Sequence, residues 1–294
     1  MTQARPVIFG EVLFDCFPGG EVVLGGAPFN VAWHLQGFSC APLLISCVGN
    51  DRYGNAVCTR MREKGMDISG IQISDAYPTG QVVVTLQDGQ PGYDIVTEQA
   101  YDHINAQTAL KALPEHTPAL VYHGSLALRT KSSKNALDIL LQKTSAPVFL
   151  DLNLREPWWE MSLLESILQR ATWVKLNDEE LCEVTRRTMS DGPELQVYAK
   201  ELFADCQLER LIVTRGAQGA FVLSKEGVVE GQSVPVKNII DTVGAGDAFS
   251  AVTIVGMLQG WSITETLNKA LKFAAQICQQ QGATASPVIS TNNG

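Results

Sequence analysis

Residues 241–247 read Asp-Thr-Val-Gly-Ala-Gly-Asp, which combines three residues of little or no side chain with two acids. The apolar run that begins at Ala248 predicts a helix. The backbone N–H groups of Gly244, Ala245 and Gly246 can therefore point into one hollow at a helix N-terminus, where the helix dipole favours an anion. On the rim of that hollow, Asp247 could orient a hydroxyl towards a phosphoryl group in transit. Alternatively, the stretch is a glycine-rich turn with Asp247 as an ordinary capping acid.

A second glycine turn lies near the N-terminus. Residues 25–30 read Gly-Gly-Ala-Pro-Phe-Asn and lead into an apolar run that starts at Val31. Asp15 is a single acid in an apolar strand pattern, so it should lie at the strand end or face a polar site. Asp15 and Asn30 together could satisfy buried hydroxyl groups, each of which needs a hydrogen-bond partner.

Strands and helices alternate in the second half of the chain. Strand patterns occur at 119–123, 148–151, 172–176 and 210–214, and helical patterns at 131–143, 160–170, 178–187, 193–206 and 263–281. This alternation predicts an α/β fold, a parallel sheet with helices on both faces. Ligands of such sheets bind at the C-terminal ends of the strands, which is where the polar clusters lie.

Residues 81–86 and 93–97 alternate around Asp-Gly-Gln-Pro-Gly, which predicts a hairpin. Together with the segment 12–24, this hairpin could form a small sheet outside the main one. We therefore expect a single domain over 1–294, with a lid made of about 12–24 and 81–98.

The composition excludes several classes of protein. The 294 residues carry a net charge of −9 without a basic cluster, so nucleic acid and acidic membranes are poor partners. The seven cysteines are scattered without a Cys-x-x-Cys pair, which indicates reduced thiols in a cytoplasmic protein. No signal peptide or membrane span is expected. The P-loop pattern Gly-x-x-x-x-Gly-Lys-[Ser/Thr] is absent, and the late Gly-x-Gly lacks the context of a dinucleotide fold.

The chain resembles the ribokinase-like (PfkB) carbohydrate kinases along almost its whole length. Residues 241–247 match the family's Asp-Thr-x-Gly-Ala-Gly-Asp signature, and residues 25–30 resemble its Gly-Gly-x-x-x-Asn signature. Residues 177–180 fit Asn-x-x-Glu and residues 214–219 fit Thr-x-Gly-x-x-Gly. The resemblance implies a ribokinase-like parallel-sheet sandwich with a small β-sheet lid, and an ATP-dependent sugar kinase in which Asp247 is the base and Gly244, Ala245 and Gly246 form the anion hole.

The resemblance also implies the remaining site residues. The implied sugar ligands are Asp15, Gly26, Asn30, Asn153 and Arg155, and the implied ATP ligands are Asn177, Thr214, Gly216, Gly219 and Gly246. Glu180 would organise Mg²⁺ through water, and K⁺ would bind at Asp241, Val243, Ile277, Gln280, Gly282 and Ser286. From the residues alone, other roles stay open: Arg155 pairing with Asp151, acids at 177–180 that serve the helix dipole, and a plain hairpin turn at 214–219.

The sugar is predicted from residues 151–155, Asp-x-Asn-x-Arg, and the tryptophans that follow. This pattern is similar to the fructokinase and 2-keto-3-deoxygluconate kinase branch of the family. A sugar acid would need a second cation, and residues 93–101 contain neither Arg nor Lys. We therefore expect fructose, phosphorylated on its 6-hydroxyl, with 2-keto-3-deoxygluconate kinase and ribokinase as alternatives. A catalytically silent sugar-binding regulator is the alternative from another class, and a homodimer through the lid is the expected assembly.

Overall fold

A nine-stranded sheet forms the centre of the molecule. The computed structural model describes residues 4–87, 90–188, 192–236 and 238–284. The strands of the large sheet are β1 (Val7–Phe9), β4 (Leu43–Gly49), β5 (Ile71–Ser74), β8 (Val121–His123), β9 (Val148–Asp151), β10 (Trp173–Asn177), β11 (Arg210–Thr214), β12 (Ala220–Ser224) and β13 (Gly227–Gly231). Their order is β13-β12-β11-β10-β9-β8-β1-β4-β5. All neighbours from β5 to β11 are parallel, and β12 and β13 add antiparallel at one edge.

Helices cover both faces of this sheet, as predicted. They are α1 (Ala27–Gly37), α2 (Arg52–Glu63), α3 (Ala106–Ala112), α4 (Lys131–Gln142), α5 (Met161–Leu168), α6 (Asp178–Thr185), α7 (Pro193–Asp205), α8 (Ala245–Gln259) and α9 (Ile263–Ile277). Successive residues of a strand pack in the apolar cores on opposite faces of the sheet. Val7 and Phe9 pack in one core cluster, and Ile8 packs in the other. Burial on both faces explains why these strands are continuous apolar runs.

Helix α8 is apolar on all sides because it lies in the interior. Its residues 248–256 are all buried, and it packs against α1 and α9. Helix α9 ends at Ile277, four residues before the predicted end, and the chain turns at Gly282 with φ of 77°. Among the described residues, no helix has the length and apolar character that crossing a bilayer requires.

A second, four-stranded sheet stands apart from the large one. Its strands are β2 (Leu13–Cys16), β3 (Val22–Gly25), β6 (Gly80–Gln87) and β7 (Gln90–Ile95), in the order β3-β2-β6-β7. Strands β6 and β7 form the predicted hairpin, and residues 88 and 89 of its turn lie outside the described part. Buried Val82 and Ile95 pack with Tyr101, which anchors the small sheet to the main body.

Candidate active site

The glycine stretch forms a cradle at the N-terminus of α8. Gly244 is the N-cap of the helix in the left-handed conformation, with φ of 81° and ψ of −3°. A Cβ at this position would also collide with Ala283, so both the backbone angles and the space require glycine. The N–H of Ala245 donates to the carbonyl of Thr242 at 3.3 Å. The first N–H groups of a helix have no partner within the helix, so that of Gly246 is directed towards whatever lies in front of α8.

Asp247 lies on the first turn of α8 beside this cradle. Its Oδ2 accepts a 2.8 Å hydrogen bond from Nδ2 of Asn30 on α1. Burial raises the pKa of Asp247 to about 6, while the Asn30 hydrogen bond and the charges of Lys175 and Arg155 oppose that rise. The carboxyl group is therefore ionised at neutral pH and is a stronger base than an exposed aspartate.

A buried polar network supports the cradle from behind. Asp151, at the end of β9, accepts hydrogen bonds from Lys175 Nζ at 2.8 Å, Ser250 Oγ at 2.6 Å and Tyr122 Oη at 3.2 Å. The Lys175 ammonium lies 3.6 Å from the position that a Cβ on Gly246 would take. The Asp151 charge holds the pKa of Lys175 above its ordinary value despite the opposing effect of burial. A positive charge therefore lies directly beneath the cradle.

This network was not predicted. The structure pairs Asp151 with Lys175, whereas the sequence alternative paired it with Arg155, so that alternative is wrong. The missed signal is Lys175 itself, a single charge in an otherwise apolar strand. The same pattern singled out Asp15, which lies one residue before the end of β2.

The predicted sugar residues converge from three elements. Asp15 is on β2, Asn30 is on α1, and Arg155 follows β9. The charge of Arg155 lowers the pKa of both Asp15 and Asp247. Arg155, Asp15 and Asp247 therefore share one electrostatic environment. Burial nevertheless raises the pKa of Asp15 to about 6.

Gly26 and Asn153 shape the backbone of this region. Gly26 has φ of 104°, and a Cβ there would lie 2.8 Å from the carbonyl oxygen of Glu11. Only glycine fits that approach. Asn153 has φ of 41°, a left-handed conformation that asparagine tolerates better than most residues.

Glu11 is a site residue that the sequence analysis missed. It lies between β1 and β2, and only 3% of its surface is exposed. Burial raises its pKa to about 7, and the carboxylate of Asp247 adds to the rise, whereas Arg155 and Arg129 oppose it. Its Oε2 atom has no hydrogen-bond partner within the described part of the chain. The sequence feature that could have identified Glu11 is an acid directly after a buried strand.

The predicted nucleotide residues lie at the C-terminal ends of β10 and β11. Asn177 caps α6 by accepting a hydrogen bond from the Glu180 N–H at 2.7 Å. The Glu180 carboxylate accepts the N–H groups of Asn177 at 2.8 Å and Leu154 at 2.7 Å. Thr214 ends β11, and Gly216 and Gly219, with φ of 49° and 88°, bound the turn that follows. Asn177 and Glu180 thus form a capping box at the start of α6, whereas the alternative in the sequence analysis assigned the acids of 177–180 to the helix dipole.

The predicted K⁺ residues belong to two segments that are bonded together. The Asp241 carboxylate accepts the N–H groups of Val243 at 2.9 Å and Gly282 at 3.1 Å. The N–H of Gln280 is bonded to the Ile277 carbonyl at 3.0 Å. Ser286 lies outside the described residues. Within the ranges that the structure covers, no three His, Cys, Asp or Glu side chains converge as a metal cluster.

Arg129 brings a cation to the root of the small sheet. Its guanidinium donates to both oxygens of Asp102, at 2.8 and 2.7 Å, and to the carbonyl of Val96, at 2.7 Å. It also lies 4.6 Å from the ring centre of Trp158, in the loop that carries Arg155. Although residues 93–101 contain no Arg or Lys, the guanidinium of Arg129 reaches them from another part of the chain. The carboxylate of Asp102 neutralises its charge.

Comparisons with known proteins agree over almost the whole chain. The sequence profile described as pfkB family carbohydrate kinase matches residues 17–290. The chain is 28% identical over 298 residues to a fructokinase of Escherichia coli, covering 96% of this chain and 93% of that protein. An uncharacterized sugar kinase from Pyrococcus horikoshii superposes with a TM-score of 0.83 at 26% identity, over 96% of this chain and 94% of the other.

A further solved structure confirms the predicted ribokinase-like α/β fold. A double mutant of fructokinase from Vibrio cholerae, with fructose, ADP and potassium ion bound, has a TM-score of 0.81 at 24% identity. The match covers 97% of this chain and 95% of the other.

Proposed function

Since the chain belongs to the pfkB family of carbohydrate kinases, we propose that it transfers the γ-phosphate of ATP to the 6-hydroxyl of D-fructose. An ATP-dependent sugar kinase follows from the family and its relatives; the particular sugar and the residue roles are our proposal. The observation that carries it is the hydrogen bond from Asn30 to Asp247 beside the glycine cradle. This bond joins the glycine turn at residues 25–30, which is predicted to bind the sugar, to the glycine turn at residues 241–247, which is predicted to bind the phosphate.

In the proposed reaction, Asp247 takes the proton of the sugar hydroxyl. The hydroxyl oxygen forms a bond to the γ-phosphorus as the bond from that phosphorus to the β,γ-bridging oxygen breaks, and ADP leaves with the electron pair. The anion hole of Gly244, Ala245 and Gly246 at the N-terminus of α8 stabilises the charge on the transferring group, and the buried pair of Lys175 and Asp151 supports it from behind. Asp15, Asn30, Asn153 and Arg155 hold the sugar, with Gly26 allowing close approach.

The charges around Arg155 favour a neutral sugar. The charge of Arg155 lowers the pKa of three carboxyl groups, those of Glu11, Asp15 and Asp247. A sugar acid would add a further negative charge to this group. Arg129 does not offset this negative charge, because both carboxylate oxygens of Asp102 already accept hydrogen bonds from its guanidinium. This charge balance supports fructose over 2-keto-3-deoxygluconate.

We propose Mg-ATP as the phosphate donor and K⁺ as an activating ion. Mg²⁺ supplies charge neutralisation on the phosphates when bound. Asn177, Thr214, Gly216 and Gly219 would line the nucleotide site, and Glu180 would act on Mg²⁺ through water. The two bonded segments around Asp241 and Gly282, together with the potassium ion of the Vibrio cholerae enzyme, support the K⁺ site.

The small sheet is proposed as a lid that excludes water from the sugar. Val22 and Val83 both pair with Cys16 and lie exposed on one face of it. A second copy of the chain would cover this face in a homodimer. Sedimentation of the wild type against a variant with Val83→Asp tests that assembly, because a charge there should dissociate it.

A coupled ADP-release assay tests the substrate. Mg-ATP and K⁺ are supplied with fructose, 2-keto-3-deoxygluconate, ribose or adenosine, and Asp247→Asn serves as the inactive control. Strong preference for fructose supports the proposal, and preference for the sugar acid or for ribose overturns it. Sugar binding in calorimetry without turnover of any substrate would instead indicate a silent regulator.

A further inference from the structure

Three buried polar atoms near the acceptor site have no hydrogen-bond partner among the described residues. They are Oε2 of Glu11, Oη of Tyr101 and Nη1 of Arg129. Glu11 and Tyr101 are 3% and 0% exposed. A buried polar atom without a partner is costly, and most such atoms in native proteins have one. The atoms therefore indicate a missing ligand, either a water molecule or the substrate.

The surroundings of Glu11 place it against the sugar site. Its carbonyl oxygen lies directly beneath Gly26 of the glycine turn. Its carboxyl group senses the charges of Asp247 on α8, of Arg155 after β9 and of Arg129 at the lid root. Glu11 thus lies between the candidate base and the root of the small sheet.

The protein leaves one oxygen of this carboxyl group, Oε2, without a partner in the described chain, although a hydrogen bond from the backbone of Glu11 lowers the pKa of the group. Arg129 directs Nε and Nη2 to Asp102 and Val96. Asn30 on α1 donates to Asp247 and leaves its own Oδ1 without a partner in the described chain. Two unpartnered oxygens, Glu11 Oε2 and Asn30 Oδ1, therefore flank the acceptor site, and both suit a molecule that offers several hydroxyl groups.

We infer that Glu11 is a further substrate-binding residue, which forms a hydrogen bond with one hydroxyl of the acceptor sugar other than the hydroxyl that is phosphorylated. The inference rests on the proposed function for the nature of the acceptor. It makes Glu11 a determinant of which sugar is bound, because a sugar lacking that hydroxyl leaves a buried carboxyl group without a partner.

The protonation state of Glu11 is compatible with this role. With a pKa of about 7, the group exists in both forms at neutral pH, so it can accept from the sugar hydroxyl or donate to it. Burial raises this pKa most, the backbone hydrogen bond of Glu11 lowers it, and the charges of Asp247, Arg155 and Arg129 have smaller effects.

The test compares wild type with Glu11→Met on fructose and on its 1-deoxy, 3-deoxy and 4-deoxy forms. Methionine keeps the length of the side chain and removes both oxygens. We expect kcat/KM of the wild type to fall about 10- to 100-fold on the one analogue that lacks the contacted hydroxyl. Glu11→Met should lose a similar factor on fructose and nothing further on that analogue, while KM for ATP stays unchanged.

Equal losses of Glu11→Met on fructose and on all three analogues would overturn the inference, since they would indicate a purely structural role. Tyr101→Phe is the matched control, because it removes a neighbouring unpartnered hydroxyl and keeps the carboxyl group. In Tyr101→Phe, kcat/KM should fall on the analogue that lacks the contacted hydroxyl by the same factor as in the wild type. The same loss of dependence in Tyr101→Phe would assign the effect to a shared water network and overturn the direct contact.

Failure of the proposed function is distinguishable from failure of this inference. If the wild type phosphorylates ribose or 2-keto-3-deoxygluconate, the cycle is repeated with deoxy forms of that sugar. If it phosphorylates none of these sugars, the same comparison of wild type and Glu11→Met on the sugar and its deoxy forms is made by measuring affinity in calorimetry. In each case the coupling between Glu11 and one hydroxyl supports the inference, and its absence overturns it.

Discussion

Asn30 and Asp247 are 217 positions apart in the sequence, and a 2.8 Å hydrogen bond joins their side chains. The bond connects the first turn of α1 to the first turn of α8, two helices that pack along their length. Each of these helices is preceded by one of the two glycine turns. The two turns are therefore held in one fixed relationship, with the candidate base between them.

This bond should set the acidic side of the pH profile. Asp247 must be ionised to act as a base, so kcat/KM of the wild type should fall as the pH drops through about 6. The Asn30 hydrogen bond stabilises the ionised form, and Asn30→Ala removes it. We expect the acidic midpoint of kcat/KM to move upwards by about one pH unit. Asp15 and Glu11 titrate nearby in both proteins, so the informative quantity is the difference between the two profiles; identical midpoints would contradict the prediction.

Asp247→Asn should separate catalysis from binding. The carboxamide oxygen can still accept from Asn30, so the fold and the sugar affinity should be retained. Without a base, kcat should fall by about 10³-fold. Turnover is measured by ADP release and sugar affinity by calorimetry. Turnover close to that of the wild type would remove Asp247 from the proposed mechanism.

The two glycines that flank α8 provide a matched pair. Gly244 and Gly260 both adopt left-handed angles, with φ of 81° and 68°. A Cβ on Gly260 meets nothing within 4 Å, whereas one on Gly244 collides with Ala283. Gly260→Ala should cost about 1 kcal/mol of unfolding free energy, with normal turnover. Gly244→Ala should cost more and abolish turnover; equal effects of the two substitutions on activity would argue against the cradle.

The buried pair of Asp151 and Lys175 should be essential to stability. Asp151→Asn leaves a buried ammonium without a compensating charge, which typically costs about 3–5 kcal/mol. Lys175→Met in the same chain should recover part of that loss. Unfolding in urea provides the measurement. Glu63→Gln breaks an exposed ion pair with Arg60 and should change the unfolding free energy by less than about 1 kcal/mol. A loss for Asp151→Asn no larger than that of this control would contradict the prediction.

Glu11 should destabilise the fold at alkaline pH. Its pKa rises from 4.5 in the unfolded chain to about 7 in the folded protein. The folded state therefore binds the proton more tightly, and stability falls as the pH rises through this range. The full penalty, present above pH 7, amounts to about 3 kcal/mol. Glu11→Gln should raise the unfolding free energy at pH 8 and have little effect near pH 4.5. A gain independent of pH would disprove this assignment.

The sequence predicts what depends on local pattern. The alternation of strands and helices, the hairpin at the small sheet and the helix that starts after Gly244 each follow from residues close together in the chain. The location of Arg155 after β9 and of Asn177 at the end of β10 follows from the rule that parallel strands present their C-terminal ends together.

The missed residues depend on contacts between distant segments. Lys175 meets Asp151 because the two are register partners on β10 and β9, and no local pattern encodes a register. Arg129 reaches Asp102 and Val96 from a separate turn, so inspection of residues 93–101 alone could not find it. Glu11 and Lys175 carry the same signal as Asp15, a single charge beside buried residues, and that signal identifies a special environment without naming the partner.

The strand order has a consequence for synthesis on the ribosome. Each strand after β1 joins an outer edge that earlier residues have already formed: β4 and β5 on one side, and β8 to β13 in succession on the other. The small sheet grows in the same way from β2. Both sheets can therefore assemble as the chain emerges, without inserting a strand between existing ones. The cradle and Asp247 come after β13, so a nascent chain completes the strands of both sheets before it gains the groups needed to consume ATP.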